Sequence, residues 1–441
     1  LNFNINHILL ILNIFAWLIT FTIYQKRKQY FDAGSVILVS YLLYSIVSFF
    51  LFSDSFWGSE FTQLRLFPFI YLYLMLMTAT WPVLRYDELK VIQIQKPSNV
   101  LFNTISIIII VSTFAGLGEG LPKVADGFIK ILFDSTAGLA IYKETMDASE
   151  AMNIGDGKIS NLPSIISGLL SDIGILMFFY SLTLKKTSKL ITIGLLISCL
   201  YPILDQIAVS QRGPVIDRFF TIIISYFALR NFIPKNINNY IKIAGLVLVI
   251  SVAVPLIAIT SSRFDREGSG GALSSVLFYV GQENLYFNNH GLDNGGLRYG
   301  DRTFPMFKRF LGFDNVPHNF YERRAKYTNL KINDEVFVGF VGDFTLDFGP
   351  FIAPFIFIFF TLFILKNTKV RNGKILFHQL ILVHFVMCIC IQGGMKLFSY
   401  SDVGNLKIIT IFIAYFVFRL DYDLIKQRRL MRSNLGHSDF N

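Results

Sequence analysis

The chain has 441 residues, 53% of them hydrophobic, 16% aromatic and only 16% charged. A water-soluble domain carries about a quarter charged residues because its surface must face solvent, so that class is excluded. The net charge of +10 does not indicate a nucleic-acid partner: the basic residues sit in short clusters at the ends of apolar runs, as topology signals do.

The mean hydropathy is +0.52, and the apolar residues gather in blocks about twenty long, enough to cross a ~30 Å hydrocarbon core as helix. Abundant Phe (46 residues) suits lipid-facing helices, and the short alternating segments of a β-barrel are absent. The expected fold is therefore an all-α polytopic transmembrane helix bundle, a single integral membrane domain over 1–441 with two sizeable outer loops. In chain order the helices are expected at roughly 5–24, 33–52, 65–84, 100–118, 163–184, 190–209, 213–232, 241–260, 346–365, 375–393 and 405–420, about eleven in all with a range of 10–12. The first is long enough to stay as an anchor. Cys199, Cys388 and Cys390 all fall inside these helices, so no loop disulfide is expected.

Lys and Arg set the expected orientation. Clusters follow the first helix (Lys26–Arg27–Lys28), the third (Arg85, Lys90, Lys96), the fifth (Lys185, Lys186, Lys189), the seventh (Arg230, Lys235) and the ninth (Lys366, Lys369, Arg371, Lys374). With Lys426, Arg428, Arg429 and Arg432 of the tail they make nineteen, against Arg212 and Lys396 in the short connections opposite. The positive-inside rule then places the C-terminus in the cytoplasm and the N-terminus outside.

Of the two expected outer loops, 119–162 is acidic, and its stretch Gly127–Tyr142 has the pattern of an amphipathic surface helix. The other, 261–345, is the longest polar stretch, with Gly and Asn turn signals. Short helices and turns folded over the bundle are expected there, because a structureless loop of that length is rare.

Ionisable groups in or beside lipid are costly and mark candidate sites. Here Arg65, Asp172, Asp205, Arg212, Asp217, Arg218, Asp343 and Asp347 crowd the outer third of the expected bundle. Each alone reads most simply as a snorkelling or salt-bridged group. Together they suggest a pocket for an amphiphile's head, with arginine suited to bidentate contact with diphosphate. The large loop adds Arg263, Arg266, Arg298, Arg302, Arg323 and Arg324, with His318 beside Glu322 and the last two arginines. His378 and His384 in the tenth helix read as interhelical hydrogen-bonding groups. The run Glu283–Phe287 (ENLYF) carries no assigned role, and no Walker, zincin or paired CxxC pattern occurs.

The layout, with its dominant outer loop in the C-terminal half, resembles the Wzy-type polymerases that join lipid-linked oligosaccharide units into O-antigen or capsular polysaccharide. Locally, Ser210–Gln211–Arg212–Gly213, Ser262–Arg263–Phe264 and the run Val341–Pro350 are similar to family motifs, whereas the R-x10-G spacing of some members is absent from the large loop. The resemblance implies a membrane glycosyltransferase of the bacterial inner membrane acting on undecaprenyl-diphosphate-linked oligosaccharides at the periplasmic face. It implies no metal and no other cofactor, since the leaving group is already activated and a cationic pocket stabilises it. Pathway partners would be a chain-length regulator and a flippase. On this reading Arg212, Arg218 and Arg263 hold diphosphate, Arg266, Arg298, Arg302, Arg323 and Arg324 serve diphosphate or glycan, and His318, Asp343 or Asp205 is the acceptor's base. An O-antigen ligase and a lipid-linked oligosaccharide flippase are the alternatives.

Overall fold

Apolar runs closed by polar caps dictate the local structure. In the computed structural model, Asn4 starts α1 (Ile5–Lys28) by accepting from the Asn6 and His7 amides at 3.0 and 3.3 Å, and Lys26, Arg27 and Lys28 end it where the helix dipole favours cations. Asp32 caps α2 (Ala33–Phe52) through the Ser35 amide at 2.8 Å. The buried Asp32 carboxylate also accepts from the Tyr24 hydroxyl at 2.7 Å, which fixes the hairpin between the two helices. The structure describes residues 4–435 except 87, 135–136, 155–161, 265–269, 294, 334–335 and 399–400. Within these, the side chains at 88, 116, 118–120, 123, 132, 146–154, 262–264, 429–430 and 432–435 are not described.

The chain continues through α3 (Leu66–Arg85), strand β1 (Gln93–Gln95), α4 (Asn99–Phe133), α5 (Ala137–Ile154), α6 (Leu162–Thr183), α7 (Lys189–Ala208), α8 (Arg212–Leu229) and α9 (Lys235–Phe264). Four shorter helices follow, α10 (Gly271–Tyr286), α11 (Pro305–Phe310), α12 (Phe320–Lys326) and α13 (Gly339–Phe348). Then come α14 (Ala353–Asn367), strand β2 (Lys374–Leu376), α15 (Phe377–Gly393) and α16 (Ser401–Leu435). Among the described residues seven helices are long and apolar enough to cross a membrane: α1, α2, α3, α6, α7, α9 and α16. Shorter apolar helical stretches cover Asn99–Ala115, Ala353–Asn367 and Phe377–Gly393. The chain is thus all-helical apart from one small sheet, with the layout of a multi-pass membrane protein.

Helix α15 is buried along nearly its whole length, and α2, α3, α8 and α16 pack around it. Outward-facing helices bear bare apolar faces instead: Ile243, Leu246, Val247, Ile250 and Val254 of α9 are all exposed, as lipid contact requires. Several contacts define one end of the bundle. The Lys28 ammonium donates to the Tyr86 carbonyl at 2.8 Å, Arg230 donates to the Phe31 carbonyl, and the Ser98 amide donates to Asp421 at 2.8 Å. At the same end β1 pairs in parallel with β2, Ile94 opposite Ile375, which brings together the connections after α3 and α14.

Several helices run past their expected ends, α9 over Lys235–Phe264 and α16 to Leu435 among them, and two departures matter for the site. The polar loop expected to begin at 119 is instead the continuation of α4 to Phe133, with Pro122 inside it. Ile131 and Phe128 of that extension pack with Ile203 and Ile207 of α7, and the close approach of Gly127 to the Ala208 backbone leaves no room for a side chain. Burial against α7 thus overrides the polar composition of the stretch. The expected helix 346–365 is two helices, because Gly349 adopts φ +85° and Pro350 has no amide proton to continue the ladder. Asp343 and Asp347 accordingly lie on the buried short helix α13, not at the start of a spanning helix.

Candidate functional site

The turn between α7 and α8 is tight: Ser210 is buried and left-handed at φ +56°, and Pro214 falls in the first turn of α8, where its missing amide proton costs nothing. This geometry sends the Arg212 side chain across to α9 and α10. Its Nη1 donates to Thr260 Oγ1 at 3.0 Å, and its guanidinium lies 4.7 Å from the centre of the Tyr279 ring, within cation–π range. The turn after α15 brings in a second cation, Lys396, whose Nζ donates to Asp217 Oδ2 at 2.7 Å.

Arg212 and Lys396 line a cavity of about 890 Å³ bounded by α8, α9, α10 and that turn, with Tyr142 of α5 and Phe337 completing its lining. Leu256, Ile257, Leu273, Val276 and Met395 supply apolar wall, while Gln211, Arg212, Thr260, Tyr279 and Lys396 supply polar atoms. Such a space suits an amphiphile with an apolar body and an anionic head.

The other charged residues form two further groups rather than one ring. Asp172 of α6 is buried and ion-paired with Lys407 of α16 at 2.8 Å and with Arg218 of α8 at 3.5 Å. Nearby, His384 of α15 shares a 2.7 Å hydrogen bond with Ser225, the interhelical role its position suggests. His378 packs edge-on to Tyr415.

The second group ties the long connection to α13. Arg298 has no exposed surface: its Nε lies 2.8 Å from Asp347 and its Nη2 lies 3.1 Å from Asp343. Arg302 Nε lies 2.6 Å from the same Asp343 oxygen, and Asp347 also accepts from the Thr303 amide and hydroxyl at 2.8 and 2.6 Å. Asp301, buried beside them, pairs with Lys308 and with Lys326 at 2.7 Å and accepts from the Tyr327 hydroxyl at 2.6 Å. Burial alone would raise the Asp301 carboxyl, but Lys308, Lys326 and Tyr327 outweigh it and hold it below its ordinary value. Burial, with Asp301 reinforcing it, pushes Tyr327 well up.

The sequence-predicted residues therefore separate. Among the described residues Arg212 is the one of them that lines the large cavity, and Arg218, Arg298 and Arg302 lie in carboxylate ion pairs. Asp205 contacts Gln206 on α7 at 3.3 Å and joins neither ion-pair group. Exposed His318 lines a different hollow, of about 680 Å³, with Arg309, Glu322 and Lys326, and its backbone amide donates to Glu322 Oε2 at 2.7 Å. Exposed Arg324 borders a third, of about 550 Å³, with Tyr321 and Lys331, while Arg323 is half-buried on the same helix. Arg65 is exposed, and its backbone amide and carbonyl are held by the Asn288 side chain at 2.8 and 2.7 Å. Arg266 lies outside the described residues, as does the side chain of Arg263 at the end of α9.

Three residues were missed. Lys396 counted only as a topology signal and Lys407 not at all, although a lysine inside an apolar run is itself a signal. Glu283 sits in the ENLYF run, is 2% exposed, and its Oε1 has no hydrogen-bond partner among the described residues. Gly339, at φ +67°, makes room for it: a methyl group there would overlap the carboxylate. Burial, then the Asp343 carboxylate, pushes Glu283 well above its ordinary value.

Fold and cavity together define the class, a multi-pass helical membrane protein with an amphiphilic cavity at one end of its bundle. No protein-family model, curated protein or solved structure matches the chain.

Proposed function

We propose that this chain is a Wzy-type polymerase, a membrane glycosyltransferase that joins undecaprenyl-diphosphate-linked oligosaccharide units into O-antigen or capsular polysaccharide. The single observation that carries the reading is the cavity: apolar walls on α9 and α10 with Arg212 and Lys396 among its polar lining. An isoprenoid tail would lie along the apolar wall and its diphosphate against the cations, a charge-complementary fit that a neutral lipid lacks. The glycan would extend toward the segment between α10 and α13, where the hollows bordered by His318 and by Tyr321 and Arg324 offer aromatic and polar groups.

In the proposed reaction the anomeric carbon of one unit loses its bond to the diphosphate oxygen and gains one to a hydroxyl oxygen of the second unit, whose proton passes to a base or to water. Arg212 would stabilise the charge left on the diphosphate. Eleven crossings, with the C-terminus in the cytoplasm of a bacterial inner membrane, complete the proposal. The grouping of Lys28, Arg230, Lys374 and the connections around them at one end of the bundle favours it, since that end holds the basic clusters.

The test is to delete the gene in its host and resolve surface polysaccharide by gel. Single repeat units on the lipid acceptor support the polymerase. Long chains retained on undecaprenyl diphosphate indicate a ligase instead, and units trapped inside the cell a flippase.

A further inference from the structure

Arg212 and Lys396 line the same cavity. The Arg212 guanidinium donates to the Thr260 hydroxyl and lies against the Tyr279 ring. Lys396 is held 2.7 Å from the Asp217 carboxylate, in a pair whose side chains retain only 12% and 28% of their surface exposed. Partly buried pairs are weakly screened, so an anion entering the cavity must compete with Asp217 for Lys396.

Two details suit an exchange of partners. A methyl group on Gly213 would lie 3.7 Å from Lys396 Nζ, so the ammonium sits directly over the first turn of α8 with no side chain at that glycine between them. The flexible four-carbon stem lets the ammonium swing without moving the backbone. Asp217 itself keeps Oδ1 without a hydrogen-bond partner among the described residues, so Lys396 rather than a wider network engages its carboxylate.

We propose that Asp217 sets a charge threshold for the cavity: it withholds Lys396 from a lipid monophosphate and yields it to a lipid diphosphate. Coulomb attraction grows with ligand charge, so the more highly charged head displaces Asp217 where the lesser one leaves the pair closed. Asp217 is thus a specificity determinant that acts through Lys396. The inference rests on the reading of the cavity as a lipid-diphosphate site.

The test measures binding of undecaprenyl diphosphate, undecaprenyl phosphate and undecaprenol to the full chain in nanodiscs. The wild type is expected to favour diphosphate over monophosphate by roughly tenfold or more. Asp217→Asn is expected to tighten monophosphate by roughly tenfold and diphosphate by less, which narrows the preference. Lys396→Gln is expected to weaken diphosphate while leaving monophosphate nearly unchanged, and Asp217→Glu to keep the wild-type preference. The threshold is overturned if Asp217→Asn weakens both lipids or leaves their ratio unchanged. Failure of the cavity reading looks different: the wild type would then hold undecaprenol as tightly as either phosphate.

Discussion

Two regions use the same residue types to opposite ends. Around α13, Arg298 and Arg302 meet Asp343 and Asp347 with almost no surface left to solvent, each cation matched by carboxylate oxygens at 2.6–3.1 Å. Beside α8, Arg212 lies against a hydroxyl and a ring in an open cavity, and Lys396 is paired at its edge. Burial makes the difference. A charge taken fully out of water must be paired at once, so it becomes a fastening, while one at a cavity edge stays able to change partners.

The sharpest way to break this comparison is Arg298→Ala. It removes the cation shared by two buried carboxylates, leaving Asp343 to Arg302 and Asp347 to Thr303, and is expected to cost about 3 kcal/mol, read as a lowered unfolding temperature in detergent. Normal stability with lost activity would move Arg298 from the fastening to the site. Arg212→Gln is expected to do the reverse: stability close to wild type, with the proposed polymerase activity reduced by about 1.5–3 kcal/mol of lost charged hydrogen bonding, roughly ten- to a hundredfold.

Glu283→Gln sharpens the fastening side. Its folded-state value lies above the unfolded one, so its contribution to stability is present at low pH and is lost as pH rises from the ordinary carboxylate range through the folded value. The glutamine variant lacks that loss, and unfolding at neutral pH should show a gain on the order of 1 kcal/mol, vanishing at pH 4. Smallest of all, exposed Arg324→Ala is expected to change stability by less than about 0.5 kcal/mol in the same measurement.

The long apolar runs were legible because twenty consecutive apolar residues leave the backbone little choice but helix. The break at Gly349–Pro350 was written in the two residues that make it, yet apolar residues on both sides carried the helical reading across. The extension of α4 was hidden by its polar composition, because only the packing of Ile131 and Phe128 on α7 reveals its buried side. At the candidate site, depth along each helix could be read, which grouped eight charged residues into one band. Which helix faces which could not, and that angular information divides the band among Lys407, Lys396 and Arg298, none of them in the original grouping. Glu283 was invisible for the same reason: its neighbours Gly339 and Asp343 are remote in sequence.

The central claim is that the cavity beside α8 holds a lipid diphosphate, and photocrosslinking tests it most directly. A polyprenyl diphosphate carrying a photoreactive group on its tail, bound to the protein in nanodiscs and mapped by peptide mass spectrometry, should label the wall formed by Leu256, Ile257, Leu273 and Val276. Unlabelled undecaprenyl diphosphate should remove that labelling, and Arg212→Gln should weaken it. Labelling spread over the exposed face of α9 at Ile243 and Val247, undiminished by competitor, would contradict the account.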